Sequence, residues 1–188
     1  MELHFLTRHE HECVARTADL LLPPFGAFVG GAAAGVADYV DRTLGAFTFD
    51  PPRIWAGGPY SGRHGGDAGF EHFLPLSRLE ELAWRTRIEG SRGLPEREWN
   101  GPVRGWQEIY REGIAALGAG FLRLGGDDQD AALKAVPELR QLLFEHACEA
   151  SYGAPEYGGN RGLTGWRAID YAGDVQPRGW TDDEVVGA

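Results

Sequence analysis

Glycine and proline punctuate this chain so densely that only a handful of stretches are free to be regular. Twenty-eight glycines and eleven prolines occur in 188 residues. Glycine carries the largest entropic cost in a regular element, and proline cannot continue a helix. Extensive irregular segments are therefore expected, and the stretches between them read as helices.

The first helix is announced by Thr7 and Glu10. They have the spacing of a capping box, in which the two side chains and backbone N–H groups satisfy each other. Val14, Ala18, Leu21 and Leu22 continue as an apolar stripe, and Pro23 and Pro24 stop it. A second helix is expected over 28–44, beginning in "GGAAAG", whose small residues let another backbone approach, and stopping at Gly45. Ser77 and Glu80 form a second capping box, opening a helix that runs to about Ile88 before Gly90. Trp106, Ile109, Tyr110, Gly113, Ile114, Leu117 and Phe121 recur at three and four, which predicts an amphipathic helix ended by Gly125 and Gly126. Asp127 or Asp128 is expected to cap a short helix. Pro137 suits the first position of the next one, which carries Leu139, Leu142, Leu143 and Phe144.

No strand run, repeat or heptad pattern is visible. The expectation is a mainly α single domain over 1–188 with about five helices. Two long ordered loops, 45–76 and 90–102, and an irregular carboxyl-terminal arm, 153–188, complete it. A hydrophobic fraction of 43% is enough for a core at this length. Loop 45–76 interleaves Phe47, Phe49, Ile54, Trp55, Tyr60, Phe70 and Phe73 with its breakers. Disordered linkers are poor in aromatics, so this loop reads as ordered and functional.

Charge narrows the partners. A formal net charge of −10, with no basic stripe or arm, argues against nucleic acid and anionic membrane surfaces. The two cysteines, Cys13 and Cys148, are too few for a disulfide framework; they read as thiols in a reducing compartment, with a single bridge as the alternative. The amino terminus shows neither a basic leader nor an apolar run of signal length, and no stretch of about 20 apolar residues occurs. A soluble, cytoplasmic protein is expected.

The search for chemistry finds no catalytic constellation. His4, His9, His11, Glu10, Glu12 and Cys13 cluster near the start, but the zinc-protease spacing is absent, and His9 and His11 leave a helix in different directions. "GGDDQDAA" lacks the glycine and terminal glutamate of a calcium loop. His64 and His146 stand alone. No Gly-x-Ser-x-Gly occurs, and no Gly-x-Gly-x-x-Gly follows a strand. Catalytic, metal and cofactor residues are thus expected to be none. One alternative is an enzyme or small-molecule binder built on loop 45–76, with Asp50, His64, Asp67 and His72. The leading reading is an interaction protein, because aromatics beside arginines are typical interface material. Trp55, Tyr60 and Arg63 fit that description, as do Tyr157, Arg161 and Trp166.

The segment "PEYGGNRGLTGWRAIDY", 155–171, resembles the carboxyl-terminal signature of the gluconate 2-dehydrogenase subunit 3 family. The matching positions are Pro155, Tyr157, Gly158, Gly159, Asn160, Gly165, Trp166, Ile169 and Tyr171. A capped first helix running into "LLPP" and a small-residue second helix with "VADYVD" are similar too. The resemblance implies a small, non-catalytic subunit that helps a large FAD-dependent sugar or alcohol dehydrogenase of the glucose-methanol-choline type to fold or mature. It places FAD in that partner and, in many such systems, a cytochrome c beyond it. It also implies that Tyr157, Gly158, Gly159, Asn160, Arg161 and Trp166 form a shaped segment. That segment either contacts the partner or folds back over its own helices, and both can hold. Two stretches, "IWAGGPYSGRHGG" and "EGSRGLPEREWNGP", are insertions relative to the family pattern.

Overall fold

A computed structural model describes residues 2–50, 52–54 and 75–171. The protein is mainly helical, and among the described residues no strand forms beyond an isolated bridge between Phe25 and Phe28. The α-helices are α1 (Arg8–Leu21), α2 (Gly31–Ala34), α3 (Val36–Leu44), α4 (Arg78–Glu89), α5 (Trp106–Leu117), α6 (Gly126–Lys134), α7 (Pro137–Tyr152) and α8 (Thr164–Ala168). None of them is long and apolar enough to cross a membrane.

Both capping boxes form. Thr7 and Ser77 accept from the backbone N–H groups of Glu10 and Glu80, whose carboxylates accept from the cap backbones in return. Pro137 opens α7, and Gly90, at φ 85°, closes α4.

The helix count exceeds the expected five for local reasons. The second helix is broken at Gly35, whose φ of 91° is a left-handed conformation that ends α2 and starts α3. The expected close approach at "GGAAAG" is real: a Cβ on Gly31 would stand 2.8 Å from the Ala18 carbonyl oxygen of α1. Helix α5 stops at Gly118, not at Gly125, and Phe121 falls in a separate 3-10 turn. Asp127 and Asp128 do not cap α6; Gly125 holds that position, and the acids stand in the first turn, where the helix dipole favours them. Beyond Gly153 the chain is less irregular than expected, with 3-10 turns at Pro155–Tyr157 and Arg161–Leu163 before α8.

Helix α7 is the hub, packing against α1, α3, α5, α6 and α8. The core around it contains Val14, Val40, Leu44, Tyr110, Phe121 and Leu143, all essentially inaccessible. Burying each large apolar side chain contributes about 1.5–3 kcal/mol. A smaller cluster of Ala46, Ile54 and Ile88, flanked by Trp84, adjoins it through Trp106, which touches both.

Candidate functional site

The last turn of any helix leaves carbonyl groups without intrahelical partners. In α7 the closing segment supplies them. The Trp166 Nε1–H donates to the Tyr152 carbonyl at 2.7 Å, and the Asn160 Nδ2 donates to the Gly153 carbonyl at 3.0 Å. The other end of the same amide accepts from the Gly165 N–H at 2.9 Å. Asn160 is fully buried and left-handed at φ 45°, a conformation asparagine tolerates better than most residues. Gly159 and Gly165 lie so close to the backbone of α7 that a Cβ on either would overlap the Ala150 or Ser151 carbonyl oxygen. Trp166 is 5% exposed and meets the Tyr171 ring edge-on at 4.9 Å. The segment is a clasp folded over its own helix.

Arg161 carries the clasp across to α1 and α3. Its guanidinium pairs with Asp38, whose other oxygen lies 2.7 Å from the His11 Nε2. The arginine stem passes over Gly35, where a Cβ would meet Nε at 3.0 Å. His11 holds its proton less firmly than an ordinary histidine. Burial outweighs the pull of Asp41, and Arg161 pushes in the same direction as burial. A neutral His11 protonated at Nε2 is the donor that the buried Asp38 carboxylate needs. Asp41, one turn further along, accepts from the backbone N–H groups of His4, Phe5 and Leu6 at 2.8, 3.0 and 2.8 Å, tying the amino terminus to α3.

Around the clasp, apolar side chains face outward. Phe25 is 86% exposed on a loop held by paired backbone bonds with Phe28. Phe28 stacks on Tyr152 at 6.3 Å, and Tyr152, Ile169 and Tyr171 are themselves exposed. Tyr157 is partly exposed on the α3 side of the segment. Gly158 faces Arg42 there at φ 106°, with no room for a Cβ. The six expected interface residues of the closing segment are thus together, but in two layers. Gly159, Asn160 and Trp166 are buried within the chain, while Tyr157 and Arg161 lie at the surface and Gly158 between. Trp55, Tyr60 and Arg63 lie outside the described residues, as do His64, Asp67 and His72; Asp50 is exposed.

A cleft of about 500 Å³ opens between α3, α4, α5 and α7, next to Tyr157. Its lining includes Tyr39, Trp84 and Trp106 together with Arg53, Arg87, Glu145 and Glu149. Arg87 lies over both indoles, at 5.2 and 5.6 Å. The Tyr39 hydroxyl donates to Glu149 at 2.8 Å; burial, reinforced by that carboxylate, raises its pKa. Beneath the cleft, His146 packs against Trp106 at 4.6 Å, with its Nδ1 2.9 Å from the Tyr110 hydroxyl and, among the described residues, no partner for Nε2. Burial lowers its pKa to about 4. It is buried and does not line the cleft, which is a partly enclosed recess of aromatic and charged side chains.

Sequence reading missed this recess, because Trp84 and Trp106 come from different helices and neither spacing nor composition joins them. It missed Phe25 for the same reason. At the amino terminus, the His9 Nε2 approaches the Cys13 Sγ at 3.7 Å while His11 turns to Asp38. Among the described residues no group of three or more histidine, cysteine or acidic side chains is arranged to hold a metal. Cys13 and Cys148 are free thiols, and burial raises Cys13 to about 11.

No protein-family model, curated protein or solved structure matches this chain.

Proposed function

We propose that this chain is a non-catalytic small subunit that stabilises or matures a large FAD-dependent sugar or alcohol dehydrogenase. The partner holds FAD and takes the hydride from a CH–OH carbon; a cytochrome c then receives the electrons. This chain contributes surface rather than chemistry. The observation that carries the reading is the closing segment. The Tyr157–Trp166 stretch, which resembles the gluconate 2-dehydrogenase subunit 3 signature, is folded into a rigid clasp. It carries or touches the exposed Tyr152, Ile169 and Tyr171, and Phe28, which stacks on Tyr152, pairs with the exposed Phe25. Exposed apolar groups gathered on a rigid base mark interaction sites.

The test is co-expression with the FAD-dependent dehydrogenase of the same genome. The expected result is a colourless chain when purified alone and a yellow, co-eluting complex when both are present. Stoichiometric flavin in the lone chain, or a dehydrogenase whose yield and activity are unchanged by this chain, overturns the reading.

A further inference from the structure

The loop between α4 and α5 is built inside out. Its two ends are pressed together: a Cβ on Gly90 would meet the Gly105 backbone N at 2.9 Å. Ser91 and Val103 close it with two bonds, Ser91 N–H to the Val103 carbonyl at 2.9 Å and Val103 N–H to the Ser91 Oγ at 3.0 Å. Two charged side chains, Glu98 and Arg97, turn towards the interior, while Arg92 and Glu96 stay exposed. Glu98 accepts from the Ser91 hydroxyl at 2.8 Å and from the Gly93 N–H at 3.1 Å. Arg97 donates to Glu89 at 2.8 Å and to the Gly90 carbonyl at 3.1 Å, and its side chain is nearly buried. Arg92 donates to the Glu89 carbonyl and to Gln107. The apolar residues are left outside. Trp99 is 90% exposed, and Leu94, Pro95, Pro102 and Val103 are exposed with it.

A solvated loop normally shows the reverse arrangement, with charges outward. An indole held in water on a rigid frame has already lost much of the freedom that binding would otherwise cost. Rigid, large aromatic anchors are the residues that dominate interface energetics. The exposed charges on and beside the loop carry an excess of carboxylates, Glu96, Glu108, Glu112 and Glu138 against Arg92 and Arg104. Glu96 is exposed on it, and Glu108, Glu112 and Glu138 converge on the single Arg104 that follows Val103.

We infer that the 90–104 loop is a second docking element, with Trp99 as its anchor, and that its occupant is an apolar socket rimmed by lysine or arginine on the large dehydrogenase subunit. The assignment of the occupant rests on the accessory-subunit reading. A second copy of this chain is the poorer fit, since it brings the same carboxylates and a formal net charge of −10 of its own.

The experiment uses the full chain and the FAD-dependent dehydrogenase of the same genome, purified separately and titrated together. Trp99→Ala is expected to weaken binding about tenfold or more, with the melt of the free chain unchanged. Wild-type affinity is expected to fall as salt rises, and Glu96→Lys to slow association several-fold and flatten that dependence. If the wild-type chain binds the dehydrogenase and Trp99→Ala binds equally well, the inference falls and the accessory-subunit reading stands. If the wild-type chain does not bind the dehydrogenase, both fall. Self-association that Trp99→Ala abolishes would overturn the assigned occupant.

Discussion

Two glycine-rich segments of this chain each carry a tryptophan, and the protein uses them in opposite senses. In the closing clasp, Trp166 points inward and its N–H terminates a helix. In the 90–104 loop, Trp99 points outward and makes no hydrogen bond or ring contact among the described residues. Glycine content does not separate the two. The difference lies in which polar groups are available to staple the backbone. The clasp has one neutral amide, Asn160, which bonds at both ends while glycines at 159 and 165 let the chain lie flat on α7. Apolar area can then be buried with the amide. The loop is stapled by Glu98, Arg97 and Ser91, which need one another and the interior space. With charges inside, the indole has nowhere to go but out.

The sharpest way to break this comparison is to truncate the inner tryptophan. Trp166→Ala removes a buried indole and orphans the Tyr152 carbonyl, so we expect a loss of about 3–5 kcal/mol in denaturant unfolding of the lone chain. A change below about 1 kcal/mol would mean that the clasp is not part of the folded core and that its burial has been misjudged.

Acid should come next in size, and it acts on α7 beneath the cleft. The neutral state of His146 is favoured in the fold, with its pKa lowered from 6.5 to about 4. The unfolded chain therefore takes up a proton at a pH where the folded chain does not. Stability is full above pH 6.5, falls as pH drops towards 4, and levels below that. At about 1.4 kcal/mol per pKa unit, the loss is on the order of 3 kcal/mol. His11, lowered mainly by burial, adds to the loss with the same sign. Unfolding midpoints at pH 7 and pH 4.5 should show the drop, and His146→Phe should remove most of the difference. An unchanged slope in that variant would move the acid sensitivity elsewhere.

Asn160→Asp tests the amide staple alone. Size and backbone preference are kept, and one carboxylate oxygen still accepts from the Gly165 N–H. The Gly153 carbonyl loses its donor and faces an acid instead. A cost of about 1–3 kcal/mol is expected at neutral pH, shrinking as the carboxyl is protonated, because a protonated oxygen again has a hydrogen to donate. A cost that does not change with pH would indicate that the carbonyl has found another partner.

Much of the helical frame was legible because it depends on neighbours in sequence. The two capping boxes, Pro137 at the head of α7 and the stripe of α5 rest on spacings of three and four. The break at Gly35 was not legible, because nothing in the neighbouring sequence marks that glycine as the left-handed one, and the side chain packed against it, Arg161, comes 126 positions later in the numbering. The candidate site divides in the same way. That Tyr157 and Trp166 belong to a shaped segment followed from the motif. That Trp166 faces α7 depends on the Tyr152 carbonyl needing a donor, and a helix end shows that need only once its neighbours are placed. The charged string "SRGLPEREW" gave no sign of turning its charges inward, since pairing of Glu98 with Ser91 and of Arg97 with Glu89 is a matter of loop closure rather than of composition.

The smallest expected effect completes the comparison. Trp99→Ala removes a side chain that touches almost nothing, so the stability of the lone chain should change by no more than about 0.5 kcal/mol. The two alanine variants then differ by several kcal/mol although each deletes an indole from a glycine-rich segment. Fluorescence quenching by acrylamide provides the parallel spectroscopic measurement. Trp99 is the most exposed tryptophan among the described residues, so the quickly quenched share of emission should shrink in Trp99→Ala and persist in a folded Trp166 variant. Glu98→Ala connects this result to the architecture. Without the carboxylate, the Ser91 hydroxyl and the Gly93 N–H lose their acceptor and the loop loses its interior staple, at a cost of about 1–2 kcal/mol. Freed from its frame, Trp99 can then collapse onto neighbouring apolar surface, and its quenching should slow. If Trp99 stays fully accessible in Glu98→Ala, the charged interior does not hold the indole outward, and the contrast between the two segments would have to be traced to their glycines after all.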